Sequence, residues 1–391
     1  MAIKRRKVAP AKEDTRGASA PHTPSKTGGG IKKRILPNTG ILHKEGSELA
    51  QLVKKITDSG DYGEAFHVAN SQKFSAPRIQ TGVLAIDLCL GGGLSKSRAS
   101  ELCGERSAGK STTAALFIAA AQRDDPDSAQ VIIDAEGTTD KSWLEKLGCD
   151  LSRVVIAEPD SGEHAIDMCD GVLRAKEVNF VVTDSIAALM PTKEIDESAM
   201  QEFMGLQARL IGKYVRKMQN ALIAERKRNH LVHHVCINQF RMKIGLVFGD
   251  PRTKPGGKAL EFFMSQQIEI KNKEHFHKDA SGDQVVAYNE HDIKITKNKT
   301  GGPLREGKFR LIRSPYEGMV EGWVDQAKAV AAKGLSVGVI TGAPNSFQID
   351  GMSTNFRGAK ALTEWAMENP DAYNTVISNI VEAYQRKWNL L

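Results

Sequence analysis

From Arg78 to about Ile312 the chain alternates short, continuous apolar runs with longer stretches of helical periodicity. The runs ASELC (99–103), QVIIDA (130–135), RVVIAE (153–158), NFVVTD (179–184) and HVCIN (234–238) read as strands. The stretches 110–123, 163–175 and 205–229 read as helices, and Leu206, Leu210, Tyr214 and Met218 mark the core face of the last one. Runs that are apolar at every position belong to strands covered on both faces, and strands alternating with helices form parallel βαβ units. The pattern predicts an α/β fold with a mostly parallel, doubly wound sheet, whose ligands sit at the carboxyl ends of the strands.

The flanks read differently. Residues 1–46 are rich in Lys, Arg, Gly, Pro, Ser and Thr and hold few large apolar side chains, so they are expected to form a disordered tail. Within 47–75, the segment ELAQLVKKI (48–56) spaces Leu49, Leu52, Val53 and Ile56 as one face of a helix too short to stand alone. Residues 76–321 form the α/β core. Residues 322–391 read as a small α+β domain: a helix over 323–332, weak strands around Ser336–Ile340 and Phe347–Ile349, then helices near 358–368 and 371–386. No internal repeat is apparent.

Charge changes this picture in one place. The net charge is +7, but residues 1–36 hold ten Lys and Arg against Glu13 and Asp14, a local +8, which leaves the rest of the chain at −1. Any nucleic-acid affinity of the folded part would therefore have to come from local patches; the run Lys4-Arg5-Arg6-Lys7 reads as a nucleic-acid contact or a targeting signal, or equally as a merely solubilising tail. The five cysteines (Cys89, Cys103, Cys149, Cys169, Cys236) are scattered, without C-x-x-C spacing, which points to a reducing compartment rather than a disulfide framework. No apolar run reaches the roughly 18 residues of a membrane span, so no membrane partner is expected. His230, His233, His234, His275 and His277 lack acidic or cysteine partners at metal-ligand spacing and are expected at the surface or at strand edges.

One motif carries explicit chemistry. Gly104-Glu105-Arg106-Ser107-Ala108-Gly109-Lys110-Ser111 matches G-x-x-x-x-G-K-[ST], follows the strand ASELC and opens the helix at 110. Backbone N–H groups there converge on phosphate oxygens at a helix N-terminus. Lys110 places a point charge on the β- and γ-phosphates, and the Ser111 hydroxyl, with Asp184 nearby, would hold Mg²⁺. Thr112 continues the motif. Glu136, just past the strand QVIIDA on the same edge, is placed to orient a water at the γ-phosphate; on position alone it is also a plausible cap or surface residue.

The blocks TGVLAIDLCLGGGL (81–94), GERSAGKST (104–112), IDAEG (133–137), TDSIAAL (183–189), MGLQAR (204–209), INQFRMKIGLVFGDP (237–251), GGKALEFF (256–263) and KNK (297–299) resemble, in order, those of the bacterial RecA family. The likeness is strong over roughly 76–321, looser over 322–391 and weak before 76. It implies a RecA-like P-loop ATPase core with a short N-terminal helix and an α+β C-terminal domain. The implied activity is a homologous recombinase that polymerises as a helical filament on single-stranded DNA, pairs it with homologous duplex, and hydrolyses ATP with Mg²⁺.

By the same resemblance, Glu136 takes the place of the catalytic carboxylate and Gln239 that of the glutamine sensing the γ-phosphate. Asp140 and Trp143 fall where the family contacts adenine, with Trp in place of the usual Tyr. Lys297 and Lys299 match the pair that reaches into the neighbouring subunit's ATP; by position alone they end a solvated strand. Two loops, about 194–203 and 240–259, would line the filament axis. The second carries Arg241, Lys243, Arg252, Lys254 and Lys258 among Gly256, Gly257 and other glycines, a composition suited to phosphate binding. Met204 and Ile244 align with apolar wedges between bases, and Arg209 and Arg216 with phosphate contacts.

The chain departs from the family pattern at several points. Glu261 stands where a lysine is usual and Gln267 where an arginine is usual, while Phe262 keeps the aromatic that packs on the neighbour. The first loop, EIDESAMQEF, lacks the usual glycine. The chain ends QRKWNLL rather than in an acidic tail, so restraint on duplex binding is expected to be weaker. The resemblance further implies recombinational repair in the cytoplasm near the nucleoid, with single-strand-binding proteins, loaders and self-cleaving repressors as partners. Two other readings fit the same core fold, a hexameric helicase or motor and a DNA-bound filament scaffold without turnover. The KNK and second-loop blocks favour the recombinase.

Overall fold

The computed structural model describes residues 47–58, 77–196, 205–242, 252–302 and 305–388. It divides into Met1–Ser71 and Gln72–Leu391. In the first unit the described element is helix α1 (Glu48–Asp58), whose start is capped by the Ser47 hydroxyl accepting from Ala50 N at 3.0 Å.

The second unit opens with β1 (Arg78–Ile79), α2 (Leu84–Leu90) and β2 (Leu94–Ser95). The Rossmann-like run follows: β3 (Ala99–Gly104), α3 (Lys110–Asp124), β4 (Ala129–Asp134), α4 (Lys141–Lys146), β5 (Val154–Ala157), α5 (Gly162–Val172) and β6 (Val178–Asp184). Then come α6 (Thr192–Asp196), α7 (Leu206–Lys227), β7 (His233–Gln239), the short β8 (Arg241–Met242) and β9 (Arg252–Thr253), and α8 (Gly257–Phe263). A long hairpin, β10 (Gln266–Lys278) with β11 (Gln284–Asn298), leads to β12 (Glu306–Ile312) and β13 (Val324–Asp325). The C-terminal region holds α9 (Ala327–Val337), β14 (Ile340–Ala343), β15 (Ser346–Ile349), β16 (Asn355–Phe356), α10 (Gly358–Glu368) and α11 (Pro370–Lys387).

Among the described residues, nine strands form one sheet in the order β13-β12-β11-β10-β3-β7-β6-β4-β5. The five pairings from β10 to β5 are parallel, and the three from β10 to β13 are antiparallel. This is the α/β sheet that the strand pattern implied. Alternate residues of each central strand serve opposite cores: Ile132, Val182, Val235 and Ile237 pack under α3 with Phe117, while Val131, Ile133, Val181 and Cys236 pack against Ile166 of α5 and Tyr214 and Met218 of α7. Truncating a fully buried ring such as Phe117 to Ala would cost about 3–5 kcal/mol. Leu210, Tyr214 and Met218 are buried as the periodicity required, and Leu206 is half-buried.

The structure corrects four sequence readings. The antiparallel hairpin β10–β11 and β12 have no counterpart among the strand candidates, because their alternating, half-polar pattern (EIKNKEHFHK, for example) lacks a continuous apolar run. The helix expected over 323–332 begins at Ala327, since Val324 and Asp325 pair with β12, and it runs on through Val337. Gly338, at φ +78°, ends that helix, which places the strand after Val339 instead of at 336–340. His233 and His234 are not at a surface or edge: both are fully buried on β7, which lies between β3 and β6. His233 stacks on Phe180 with centroids 5.5 Å apart and donates Nδ1–H to the Ser95 carbonyl at 2.8 Å. His234 Nε2 lies 3.0 Å from the Tyr214 hydroxyl and 3.2 Å from that of Thr183.

The C-terminal helices and the sheet β14-β15-β16 enclose their own core, with Phe347, Phe356, Ile377 and Ile380, and it takes in Leu84 and Leu88 of α2. Gln326 seats this region on the α2 turn, its amide oxygen accepting from Leu84 N at 2.8 Å and its NH₂ donating to the Gly82 carbonyl at 2.7 Å.

Candidate active site

The carboxyl ends of β3, β4, β6 and β7 share one edge of the parallel sheet, and a cleft of about 920 Å³ opens there. Its lining includes residues 106–112, Glu136, Asp184, Gln239, Arg241, Asn272, Glu274, Asn289 and Arg313. Backbone geometry explains the glycines of the loop. A Cβ on Gly104 would meet the Ile270 carbonyl oxygen at 2.5 Å. Gly109, at φ +86°, has the His291 ring 2.4 Å from where its Cβ would stand. The loop therefore rests directly on the hairpin β10–β11, and Glu105, Arg106 and Ser107 remain exposed at its rim.

Lys110 is buried and its ammonium donates to the Glu105 carbonyl at 2.7 Å. Burial pulls its pKa down, while Asp184 and Glu136 pull it up. Asp184, at the end of β6, accepts a hydrogen bond from Ser111; burial pushes its pKa up to about 6, and the negative charges of Glu136 and Asp134 add to that. A Ser hydroxyl and a carboxylate at the mouth of a phosphate-binding loop are a donor set that fits Mg²⁺, which would offset the carboxylate charge crowding there. The cleft also holds buried acceptors without partners among the described residues, Oδ1 of Asn272 and Oδ1 of Asn289, suited to meeting the donors of a bound nucleotide.

Glu136 is held from two sides. Gln239 Nε2 donates to its Oε1 at 2.8 Å, and the Ser185 hydroxyl donates to the same oxygen at 2.5 Å. Asp134 shapes the turn beneath it, accepting from Glu136 N (3.1 Å), Gly137 N (2.8 Å), and Thr139 N and Oγ1 (2.9 and 2.7 Å). Ser185 and Asp134 are not singled out by sequence reasoning, although both lie in blocks that carry the family resemblance, IDAEG and TDSIAAL.

Asp140 and Trp143 stand beside the cleft rather than in its lining. Asp140 caps α4, accepting from Ser142 N at 2.9 Å and Trp143 N at 3.3 Å. Trp143 Nε1 donates to Thr112 Oγ1 at 3.1 Å, and the guanidinium of Arg313, a cleft residue, covers its ring at 4.1 Å. Lys297 and Lys299 do not line the cleft of their own chain: their ammoniums donate to the Glu261 and Phe262 carbonyls, the latter at 3.1 Å, at the carboxyl end of α8. Burial and Lys299 lower the Lys297 pKa, against the pull of Glu261. Phe262 beside them is 70% exposed.

Met204, Lys243 and Ile244 lie outside the described residues. Arg209 and Arg216 are both exposed on α7. Gly256 caps α8 and packs so closely on α7 that a Cβ would meet Ile211 Cγ2 at 2.5 Å, whereas Gly257 is open. Arg241 pairs with Thr253 across the stem β8–β9 and reaches the nucleotide cleft, so it belongs to both regions. Lys254 differs from the expectation of a free loop cation: it forms an ion pair with Glu101 at 3.0 Å.

A second cleft, of about 1120 Å³, lies between α3 and α11. Its arginines serve the chain's own backbone, Arg78 bonding the Leu90 carbonyl at 3.0 Å and Arg123 the Thr81 carbonyl at 3.2 Å, so the chemistry stays with the phosphate-loop cleft. The family model of the RecA N-terminal domain matches residues 47–318.

Proposed function

The chain belongs to the RecA family, whose members bind ATP and DNA and hydrolyse ATP in response to DNA, and from that premise we propose that it is an ATP-dependent homologous recombinase. It forms a helical filament on single-stranded DNA, searches homologous duplex and exchanges strands in recombinational repair, at the nucleoid. The observation that carries this reading is the bond between Glu136 and Gln239. Gln239 ends β7, and two residues later the chain enters the stem of the second loop at Arg241.

The residues act in sequence. The N-terminus of α3 and the loop amides hold the phosphates of ATP, and Lys110 leaves the Glu105 carbonyl to neutralise the β- and γ-phosphates. Ser111 and Asp184 would hold Mg²⁺, which supplies further charge neutralisation at the γ-phosphate. Glu136, held by Ser185 and Gln239, accepts a hydrogen bond from the attacking water and takes its proton as the bond to the γ-phosphorus forms and that phosphorus parts from the β–γ bridging oxygen, leaving ADP and phosphate. When the γ-phosphate leaves, Gln239 loses one of its partners, and the loop stem that follows it is released. Lys297 and Lys299 of the adjoining protomer complete the phosphate cradle in the filament. Arg209, Arg216 and the second-loop cations other than Lys254 hold DNA through phosphates, which leaves sequence discrimination to base pairing.

The test is three-strand exchange with a fluorescent duplex, ATP and Mg²⁺, comparing homologous with heterologous single strands. Transfer only with the homologous strand supports the reading. Robust DNA-stimulated hydrolysis without transfer overturns strand exchange and leaves a motor or a scaffold.

A further inference from the structure

Glu101, in the middle of β3, is fully buried. Its Oε1 accepts from Asn238 Nδ2 at 2.8 Å, and its Oε2 accepts from Gln267 Nε2 at 2.7 Å and from Lys254 Nζ at 3.0 Å. Lys254 is the single charge on these partners, and it arrives from the segment joining β9 to α8, at the carboxyl end of the second loop. Burial alone would lower the Lys254 pKa, but Glu101 outweighs it and the ammonium is held in its charged form. Next to it, the Pro255 carbonyl accepts from the same Asn238 amide at 3.2 Å. Asn238 in turn accepts the Gln239 N–H at 2.9 Å through its Oδ1. A continuous polar path therefore runs from Lys254 through Glu101 and Asn238 to Gln239 and on to Glu136.

We propose that Lys254 is a positioning residue, not a phosphate contact: with Glu101 it forms a clasp that seats the loop stem on the strand end carrying Gln239, so that events in the loop reach Glu136. A lysine withdrawn to a DNA phosphate would leave a carboxylate with no exposure to water and no charged group bonded to it, which a buried site resists. The sheet's β10 position opposite Glu101 carries the neutral Gln267, so neutralisation falls to the loop. The inference rests on the DNA reading of that loop.

The experiment compares the full chain with K254Q, K254R, E101Q and the double variant E101Q/K254Q. It measures ATP turnover with and without single-stranded DNA, the salt dependence of DNA binding, and the thermal midpoint. K254Q should lose at least about tenfold in DNA-stimulated kcat, with KM for ATP within about twofold and the salt slope of DNA binding unchanged. K254R should restore most of the stimulation, and the double variant should recover both stimulation and thermal midpoint relative to either single change. A salt slope reduced by about 0.7 in K254Q, the signature of one phosphate no longer neutralised on a single strand, with stimulation intact, overturns the proposal. If the parent protein shows no DNA stimulation, the functional reading fails by itself; the clasp is then decided by the thermal midpoints, and losses that simply add in the double variant would sink it. Should E101Q not fold, the salt slope and the K254Q–K254R comparison still decide.

Discussion

Gln239 Nε2 donates to Glu136 Oε1 at 2.8 Å, joining the ends of β7 and β4 across the intervening strand β6. The carboxylate proposed to orient water and the amide that leads into the loop stem are thus joined by a hydrogen bond. Glu136→Gln keeps the size but removes the base, and kcat should fall by about 10²–10⁴ with nucleotide affinity nearly unchanged. Gln239→Ala should retain basal hydrolysis and lose its DNA stimulation. Steady-state ATPase assays with and without single-stranded DNA check both; equal stimulation in Gln239→Ala would break the proposed link.

Lys110→Ala removes the buried cation of the phosphate loop. ATP turnover should be abolished, because the β- and γ-phosphate charge is left unneutralised. Normal DNA-stimulated turnover in that variant would move the nucleotide site elsewhere.

Trp143 bridges Thr112 and Arg313 beside the cleft. Trp143→Ala removes the hydrogen bond and the cation–π interaction, together about 1–1.4 kcal/mol. KM for ATP should rise about five- to tenfold at little cost in kcat, and Trp143→Phe should do less. A fall in kcat with unchanged KM would instead place Trp143 in the chemistry.

Burial holds His233 at about 4 and, with His233 as neighbour, His234 at about 3. Both stay neutral in the folded chain, whereas an unfolded histidine protonates near 6.5. A depressed folded pKa gives stability that is full above pH 6.5 and is lost as pH falls from there toward 4, of order 2–3 kcal/mol for each ring by pH 4. Thermal melts between pH 7.5 and 4.5 should show this decline, and His234→Gln should flatten it. Parallel pH curves for the two proteins would show that the ring does not titrate on unfolding.

Deleting residues 1–36 removes a net +8. Duplex affinity should fall and its dependence on salt should flatten, by roughly 0.9 for each phosphate that the tail had neutralised. An unchanged salt slope would assign the tail another role.

Some of this was legible in the chain itself. The continuous runs QVIIDA and NFVVTD could only be strands covered on both faces, and the phosphate loop declared itself because eight local positions define it. Other parts were not. Local pattern misreads the hairpin β10–β11, whose outer half mixes polar and apolar residues and owes its order to the pairing of its two strands, while its inner part is held between β3 and β12. It misreads His233 and His234 too, since their burial follows from which strands flank β7.

The sequence by itself therefore determined the family and the sheet class and marked the phosphate-loop motif, because those depend on short spacings and on strand periodicity. Only the tertiary structure decided which polar side chains answer one another. Glu136 lies 103 positions from Gln239, and Glu101 lies 153 from Lys254. Strand order, not spacing along the chain, brings each pair within a hydrogen bond. For Glu101 burial then makes the pairing obligatory, since a carboxylate removed from water must find its donors wherever the fold supplies them, whereas Glu136 stays exposed to the cleft and owes its bond to Gln239 to strand order alone.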